Sequence, residues 1–339
     1  MSEFINRPLS RRGFLGGATV AAGLGLTACG GQQQQTTEAP SGKEGGGTIS
    51  AGTAYSTQNY DPSTTSSALA LGVNWQVVEG LYGLNFHDYS TFNELATADP
   101  KKVDDYTFEI TLRDGAKFSD GNEVKADDVV ESFNRSAAKG SVYVPMLSPI
   151  ASVMKKDDKT VTVKTVIANF SLLKERLSIV RVVPASSSQD EMKKQPVGSG
   201  PWMYESISDN TLDLVPNTNY NGATPAKDEK LHYDVLKDPT ARLTAQQDGT
   251  TLAMEMVPAD AVEQLKGAGC TVDAVQGFGV RFAMFNLGKA PWDNVKVRQA
   301  CLYALDTDKM LANAFSGQAE VATSYLPSSF ANYHKASTV

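Results

Sequence analysis

Three histidines (His87, His232, His334) and three cysteines (Cys29, Cys270, Cys301) carry the most reactive side chains in these 339 residues. Their spacing gives them little to do together. A structural zinc site needs four imidazole or thiolate ligands and a catalytic one needs three, usually with some in close pairs. The histidines stand isolated, so each is expected as a surface or strand residue, and no metal or cofactor is expected. Gly198-Ser199-Gly200 resembles a phosphate loop only superficially, because no Lys follows. It also lacks the G-x-S-x-G spacing of a nucleophile elbow. With no nucleophile–base pair in view, no enzymatic reaction is expected. Cys270 and Cys301 are expected at a strand start and inside a helix, as two free buried thiols rather than a disulfide.

Cys29 differs because of what precedes it. Residues 1–28 hold Arg7, Arg11 and Arg12 against one acid, Glu3, and then an uncharged run over 13–28 rich in Gly, Ala and Leu. That run is short for a spanning helix and right for the apolar region of an export signal. Ser10-Arg11-Arg12-Gly13-Phe14-Leu15 resembles a twin-arginine signal, with Gly16 where a Lys is usual, so export by Tat or by Sec both fit. Leu26-Thr27-Ala28-Cys29 resembles a bacterial lipobox, which makes Cys29 the expected lipidation site. Residues 30–47 contain no large apolar side chain and should form a flexible tether. Beyond them no run approaches the length of a membrane span, and the body is expected to be soluble.

Composition bounds the body further. Hydrophobic residues make up 41% and charged residues 20%, an ordinary globular balance. The formal charge of −7 leaves no basic face for a phosphate backbone, so nucleic acid is not an expected partner.

The elements that would position any site alternate between strands and helices. Strands are expected at 48–54, 106–112, 151–155, 160–166, 211–215, 231–236 and 279–287, the pair around 156–159 forming a hairpin. Helices are expected at 67–84, 126–138, 239–247, 258–266 and 294–305. Asp127 and Asp128 fall in the first turn of the second of these, where the helix dipole favours negative charge. Trp75 lies on an apolar helical face and is expected in the core.

The sequence also carries a family pattern. A strand at 106–112 leads into Arg113-Asp114-Gly115-Ala116-Lys117-Phe118, then Asp120-Gly121, then Ala126-Asp127-Asp128-Val129 and a helix. This resembles the family 5 extracellular solute-binding proteins, the peptide, dipeptide and nickel receptors of ABC importers. Other landmarks follow in order: Asp61-Pro62, Glu79-Gly80-Leu81, Gly198-Ser199-Gly200-Pro201-Trp202, Asn219-Tyr220 with Gly222 and Pro225, Pro239 to Leu243, and Val297-Arg298-Gln299-Ala300. The resemblance spans about residues 46–327. Three departures stand out. No Asp occupies 250–254, Lys125 replaces the usual Thr or Ser cap, and family members continue well past the position of Val339.

The resemblance implies an α/β, two-lobed periplasmic-binding-protein-like fold (type II, family 5) of mixed sheets flanked by helices, with the second lobe incomplete. The implied division is signal peptide 1–28, lipidated Cys and tether 29–47, first lobe 48–255 with an inserted subdomain at about 65–190, and the start of the second lobe at 256–339. The implied function is a substrate-binding lipoprotein that captures peptides, or a related small solute, between its lobes and delivers them to the permease. A receptor of the same family for nickel, a metal chelate or another solute, and a truncated non-transporting lipoprotein, are the alternatives. Expected partners are the solute, the ABC permease subunits and the membrane through the lipid; a monomer is expected, outside the cytoplasm and anchored to the cell membrane. Ligand contact is implied at the end of the first strand, at Ala54, Tyr55 and Ser56 with Thr57 beside them, and at Asn286. Tyr55 is open to two roles, packing on a ligand side chain or standing as a solvated aromatic. Asn286 is open to a ligand contact or a structural hydrogen bond. The turns at Arg113-Asp114-Gly115 and Asp120-Gly121 are expected to be structural.

Overall fold

The computed structural model describes residues 46–330 and 332–336. The expected export signal with Arg11 and Arg12, and the expected lipidation site Cys29, lie outside the described residues. In chain order the first elements are β1 (Thr48–Thr53), α1 (Ala68–Val77), β2 (Tyr82–Leu84), β3 (Thr91–Asn93), β4 (Lys101–Lys102), β5 (Thr107–Thr111) and α2 (Ala126–Ser136). Then come α3 (Val144–Leu147), β6 (Ile150–Asp157), β7 (Thr160–Thr165), α4 (Leu173–Leu177), α5 (Gln189–Lys194), β8 (Trp202–Ile207) and β9 (Thr211–Pro216). The last are β10 (Lys230–Val235), α6 (Pro239–Gln247), β11 (Ala253–Met254), α7 (Val262–Gly267), α8 (Val295–Tyr303) and α9 (Thr307–Phe315).

The strands assemble into mixed sheets. One has five strands in the order β11-β1-β10-β9-β8, with β1 parallel to β10 and β11 and the other pairs antiparallel. A four-stranded antiparallel sheet runs β4-β5-β7-β6, and β2 pairs with β3. Alternation sets the inward faces: Phe108 and Ile110 of β5 and Val161 and Val163 of β7 are buried, as period two requires. Helix α2 covers this sheet with Val129, Ser132, Phe133 and Ser136, the three- and four-residue spacing of one helical face. A second core gathers Leu69, Val73 and Val77 of α1 against Trp202, Tyr204, Leu212, Leu214 and Leu231 of the five-stranded sheet. No helix among the described residues is long and apolar enough to cross a membrane.

Most expected elements form within a few residues of their expected bounds, and three readings need correction. The helix expected over 67–84 ends at Val77, and Val78 is already extended. The reason is a distant segment: the Gly200 N–H donates to the Val77 carbonyl at 2.9 Å and takes over one of the helix's last acceptors. The strand expected over 279–287 has no ladder partner among the described residues, and Phe282 and Met284 there are 67% and 83% exposed. Strand propensity expresses itself only where a neighbour and a buried face are available. Cys270 and Cys301 are free as expected but only half-buried, and Cys270 follows α7 instead of starting a strand.

The missing oxygen cap at Lys125 is met from the other side. Lys125 makes no side-chain cap, but the Asp128 carboxylate accepts its backbone N–H at 2.8 Å and that of Ala185 at 2.8 Å. Burial, acting against these bonds, holds the Asp128 carboxyl above the usual carboxylate range.

Candidate functional site

The family landmarks are scattered in sequence and converge in space. The Arg113 guanidinium forks onto Glu79, Nη1 to Oε1 and Nη2 to Oε2, each at 2.8 Å. Its Nε donates to Asn221 Oδ1 at 2.9 Å, and the Tyr220 ring faces it with the centroid 5.7 Å away. Arg113 is therefore more than a turn residue, since it ties three chain segments together. Gly115 (φ 70°) and Gly121 (φ 90°) do form the expected turns in the left-handed region. Gly198 and Gly200 lie against the end of α1, where a Cβ on Gly198 would sit 2.0 Å from the Val77 carbonyl oxygen. These glycines serve close backbone packing.

Two cavities flank α1. Leu71, Asn74 and Trp75, at three- and four-residue spacing, face one of about 190 Å³, which Pro62, Tyr143, Ile179 and Arg181 complete. Leu69, Val73 and Gln76 face the other, of about 290 Å³, together with Gly52, Thr53, Tyr233 and Glu255.

Arg181 distinguishes the smaller cavity. It is 5% exposed and sits in the run Ile179-Val180-Arg181-Val182-Val183. That run is held beside the end of α1, with Arg181 bridged to Gly80 and the Val182 N–H donating to the Glu79 carbonyl at 2.8 Å. Its Nη1 donates to Glu94 Oε2 at 2.8 Å and to the Val78 carbonyl at 3.3 Å. Its Nε and Nη2 have no hydrogen-bond partner among the described residues. These two nitrogens form the outer edge of the guanidinium fork, the edge that matches a carboxylate in bidentate fashion. Trp75 stacks on the guanidinium, Cζ to ring centroid 3.1 Å, and meets Phe86 edge-on at 5.0 Å. Trp75 is thus a half-buried wall of the cavity, which corrects its expected place in the core.

The Asn74 amide and the Tyr143 hydroxyl of this cavity are satisfied. Asn74 Nδ2 donates to the Tyr60 carbonyl at 2.8 Å and Asn74 Oδ1 accepts from the Tyr204 hydroxyl at 2.9 Å. The Tyr143 hydroxyl donates to the Thr65 carbonyl at 3.0 Å. Burial raises both phenols, Tyr143 and Tyr204, so each stays a neutral donor. Burial also holds the Glu94 carboxyl above the usual range, with Arg181 pulling the other way. Arg181 Nε and Nη2 are thus buried in the wall of this cavity with no acceptor among the described residues, in mostly apolar surroundings.

The sequence-predicted contact residues lie elsewhere. Ala54 is half-buried, and Tyr55 (36% exposed) and Ser56 are exposed. They follow β1 near the larger cavity, where Glu255 Oε1 accepts from the Thr53 hydroxyl at 2.5 Å and from the Ala54 N–H at 3.2 Å. Gln76 Nε2 donates there to the Tyr233 hydroxyl at 2.8 Å. In this cavity the Thr53 hydroxyl, Glu255 Oε1, Gln76 Nε2 and the Tyr233 hydroxyl are thus paired. Asn286 is exposed, and its Oδ1 accepts the Gly288 N–H at 3.2 Å in a local turn. The structure does not bring Asn286 to either cavity. Sequence reasoning missed Arg181, Glu94 and Glu255. Arg181 had a usable signal, a lone charge inside a five-residue apolar run.

Comparison with known proteins agrees with this architecture. Residues 92–339 match the bacterial extracellular solute-binding proteins, family 5 Middle. Heme-binding protein A of Haemophilus influenzae is 31% identical over 286 residues, 74% of this chain and 52% of that protein. The nickel-binding periplasmic protein of Escherichia coli is 28% identical over 259 residues, 71% of this chain and 49% of the relative. The oligopeptide-binding protein of Bacillus subtilis, solved with a nonapeptide, superposes with a TM-score of 0.69 at 21% identity, covering 83% of this chain and 58% of that one. The chain thus spans about half the length of the curated relatives it matches, and it shares their mixed α/β fold.

Proposed function

The chain belongs to the bacterial extracellular solute-binding proteins of family 5, and from that premise we propose that it is a receptor of an ABC importer that takes a small carboxylate-bearing solute, a peptide foremost. One observation carries this reading. Arg181 is buried in the wall of an apolar cavity with Nε and Nη2 unpartnered. A buried donor left without an acceptor costs about 1–3 kcal/mol, and more when charged. A solute carboxylate removes that cost, and Trp75, Leu71 and Ile179 supply apolar surface for the body attached to it.

In this reading residues 48–255 are the first lobe, with an inserted subdomain at about 65–190, and 256–339 begin the second. Solute whose carboxylate is held in this first-lobe cavity and whose body reaches the second lobe favours a closed form, and the closed form docks on the permease. Cys29 carries the lipid, and 30–47 tether the body within reach of the membrane. Cys29→Ala then moves the protein from the membrane to the soluble fraction; membrane retention of that variant counts against the anchor.

A metal chelate whose ligands include a carboxylate suits the same fork, and the E. coli relative named above is a nickel-binding protein. Calorimetric titration of the full chain with a di- to pentapeptide pool, and separately with a nickel–histidine chelate, decides between them. Heat with the peptides supports the leading reading, heat with the chelate alone supports the second, and heat with neither removes both.

A further inference from the structure

Glu94 holds Arg181 from the side away from the unpartnered edge. Its Oε2 takes Nη1 of Arg181 at 2.8 Å and the Gly80 N–H at 2.6 Å. Both side chains are shielded, with 4% of Arg181 and 10% of Glu94 exposed. Oε1 faces β2, where a Cβ on Gly83 would lie 2.7 Å from it. Glu79 brings a second carboxylate close by, neutralised in turn by Arg113, whose Nη1 also donates to the Glu94 carbonyl at 2.6 Å. On the cavity side Arg181 meets the uncharged Trp75 and Tyr143, and the buried Asp61 carboxylate, which accepts from Ser63 and Thr64, acts on Tyr143 from beside Pro62. The hydrogen-bonded set of Arg181, Glu94, Arg113 and Glu79 is two guanidinium groups and two carboxylates, and Asp61 adds a further buried carboxylate nearby.

A solute carboxylate on Nε and Nη2 adds a third negative charge to the two positive ones of that set, in surroundings that screen charge poorly. One carboxyl of the set must then bind a proton or the excess charge stays buried and uncompensated. Glu79 is forked by Arg113 through both oxygens and keeps its charge best. Glu94 shares its cation with the incoming solute. We propose that Glu94 is a positioning residue for the solute carboxylate, fixing Arg181 at the cavity wall so that its unpartnered edge takes the carboxylate, and taking up a proton as the solute binds. The inference rests on the receptor reading above and deepens it. Burial already favours the protonated Glu94 carboxyl, so the added step is small.

The test is calorimetric titration of the full chain with a pool of di- to pentapeptides of Gly, Ala and Leu between pH 5 and 7. There the peptide amine stays charged and the peptide carboxylate ionised. Repeating each titration in buffers of different ionisation enthalpy counts the protons exchanged. The expected result is uptake of up to about one proton per peptide, with the association constant falling by up to about tenfold per pH unit in the range where uptake occurs. Glu94→Gln, which keeps an oxygen for Arg181 and cannot be protonated, abolishes the uptake and flattens the pH profile, and Glu94→Asp restores both. Binding without uptake in the wild type, or uptake that persists in Glu94→Gln, overturns the proposal and leaves the receptor reading standing. No binding by the wild type removes that reading and the proposal with it.

Discussion

Substituting Gly198 by Ala tests whether the Gly198-Ser199-Gly200 segment is a packing element. The new Cβ would lie 2.0 Å from the Val77 carbonyl oxygen, 2.7 Å from its carbon and 2.8 Å from Val78 Cα. All three are backbone atoms, so no side chain can swing aside, and two segments must part by roughly 1 Å. Overpacking of this kind costs about 3 kcal/mol. Losing the Gly200 N–H bond to Val77 adds roughly 1 kcal/mol. The expected destabilisation of about 4 kcal/mol lowers the midpoint of thermal unfolding by roughly 6–8 °C. Gly72→Ala is the matched control. It lies in the same helix with nothing within 4 Å of the added carbon, so it should gain about 0.5–1 kcal/mol from helix propensity. Urea unfolding followed by circular dichroism reads both, with an unchanged m-value. A Gly198→Ala midpoint within the error of wild type would refute the close packing, and a loss of solute binding without loss of stability would make this a ligand loop.

Two further perturbations probe the charged groups. Arg113→Lys keeps the charge but loses the fork onto Glu79 and the bond to Asn221. It should cost about 2–3 kcal/mol in urea unfolding, and a double-mutant cycle with Glu79→Gln should show coupling above about 1 kcal/mol. His232 stands against Asp213 at 2.7 Å and Asp234 at 3.3 Å. Burial opposes its charge, but the two carboxylates together outweigh it and raise the pKa above 6.5. The stability it contributes is therefore fully present below about pH 6.5, the unfolded value, and is lost as pH rises through the raised folded value. His232→Asn should flatten that slope in urea midpoints taken from pH 5.5 to 8.5, and an unchanged slope would remove His232 as its source.

Local pattern told most about the elements that local forces decide. β5 and β7 alternate strictly, and α2 keeps one apolar face with acids in its first turn; both were legible because burial follows the period of the backbone. What failed was decided at a distance. α1 ends at Val77 because Gly200, over 120 residues on, takes its carbonyl. Residues 279–287 carry β-formers with no neighbouring strand to pair with among the described residues. The family landmarks identified the fold, but their physical roles appeared only when Glu79, Arg113 and Asn221 met in space. The cavity was the least legible part. Trp75 has the spacing of a core residue, and only the position of Arg181 turns it into a wall. Arg181 comes from a segment 106 positions later, which no helical or strand period connects to it.

The central claim is that the free edge of Arg181 receives a carboxylate. The direct measurement compares one peptide with its own C-terminal amide, titrated calorimetrically into the full chain and into Arg181→Gln. The wild type should bind the acid at least about tenfold more tightly than the amide, the worth of one bidentate charged contact at about 1.4 kcal/mol. Arg181→Gln should bind the two alike. Equal affinity of the wild type for acid and amide would contradict the account.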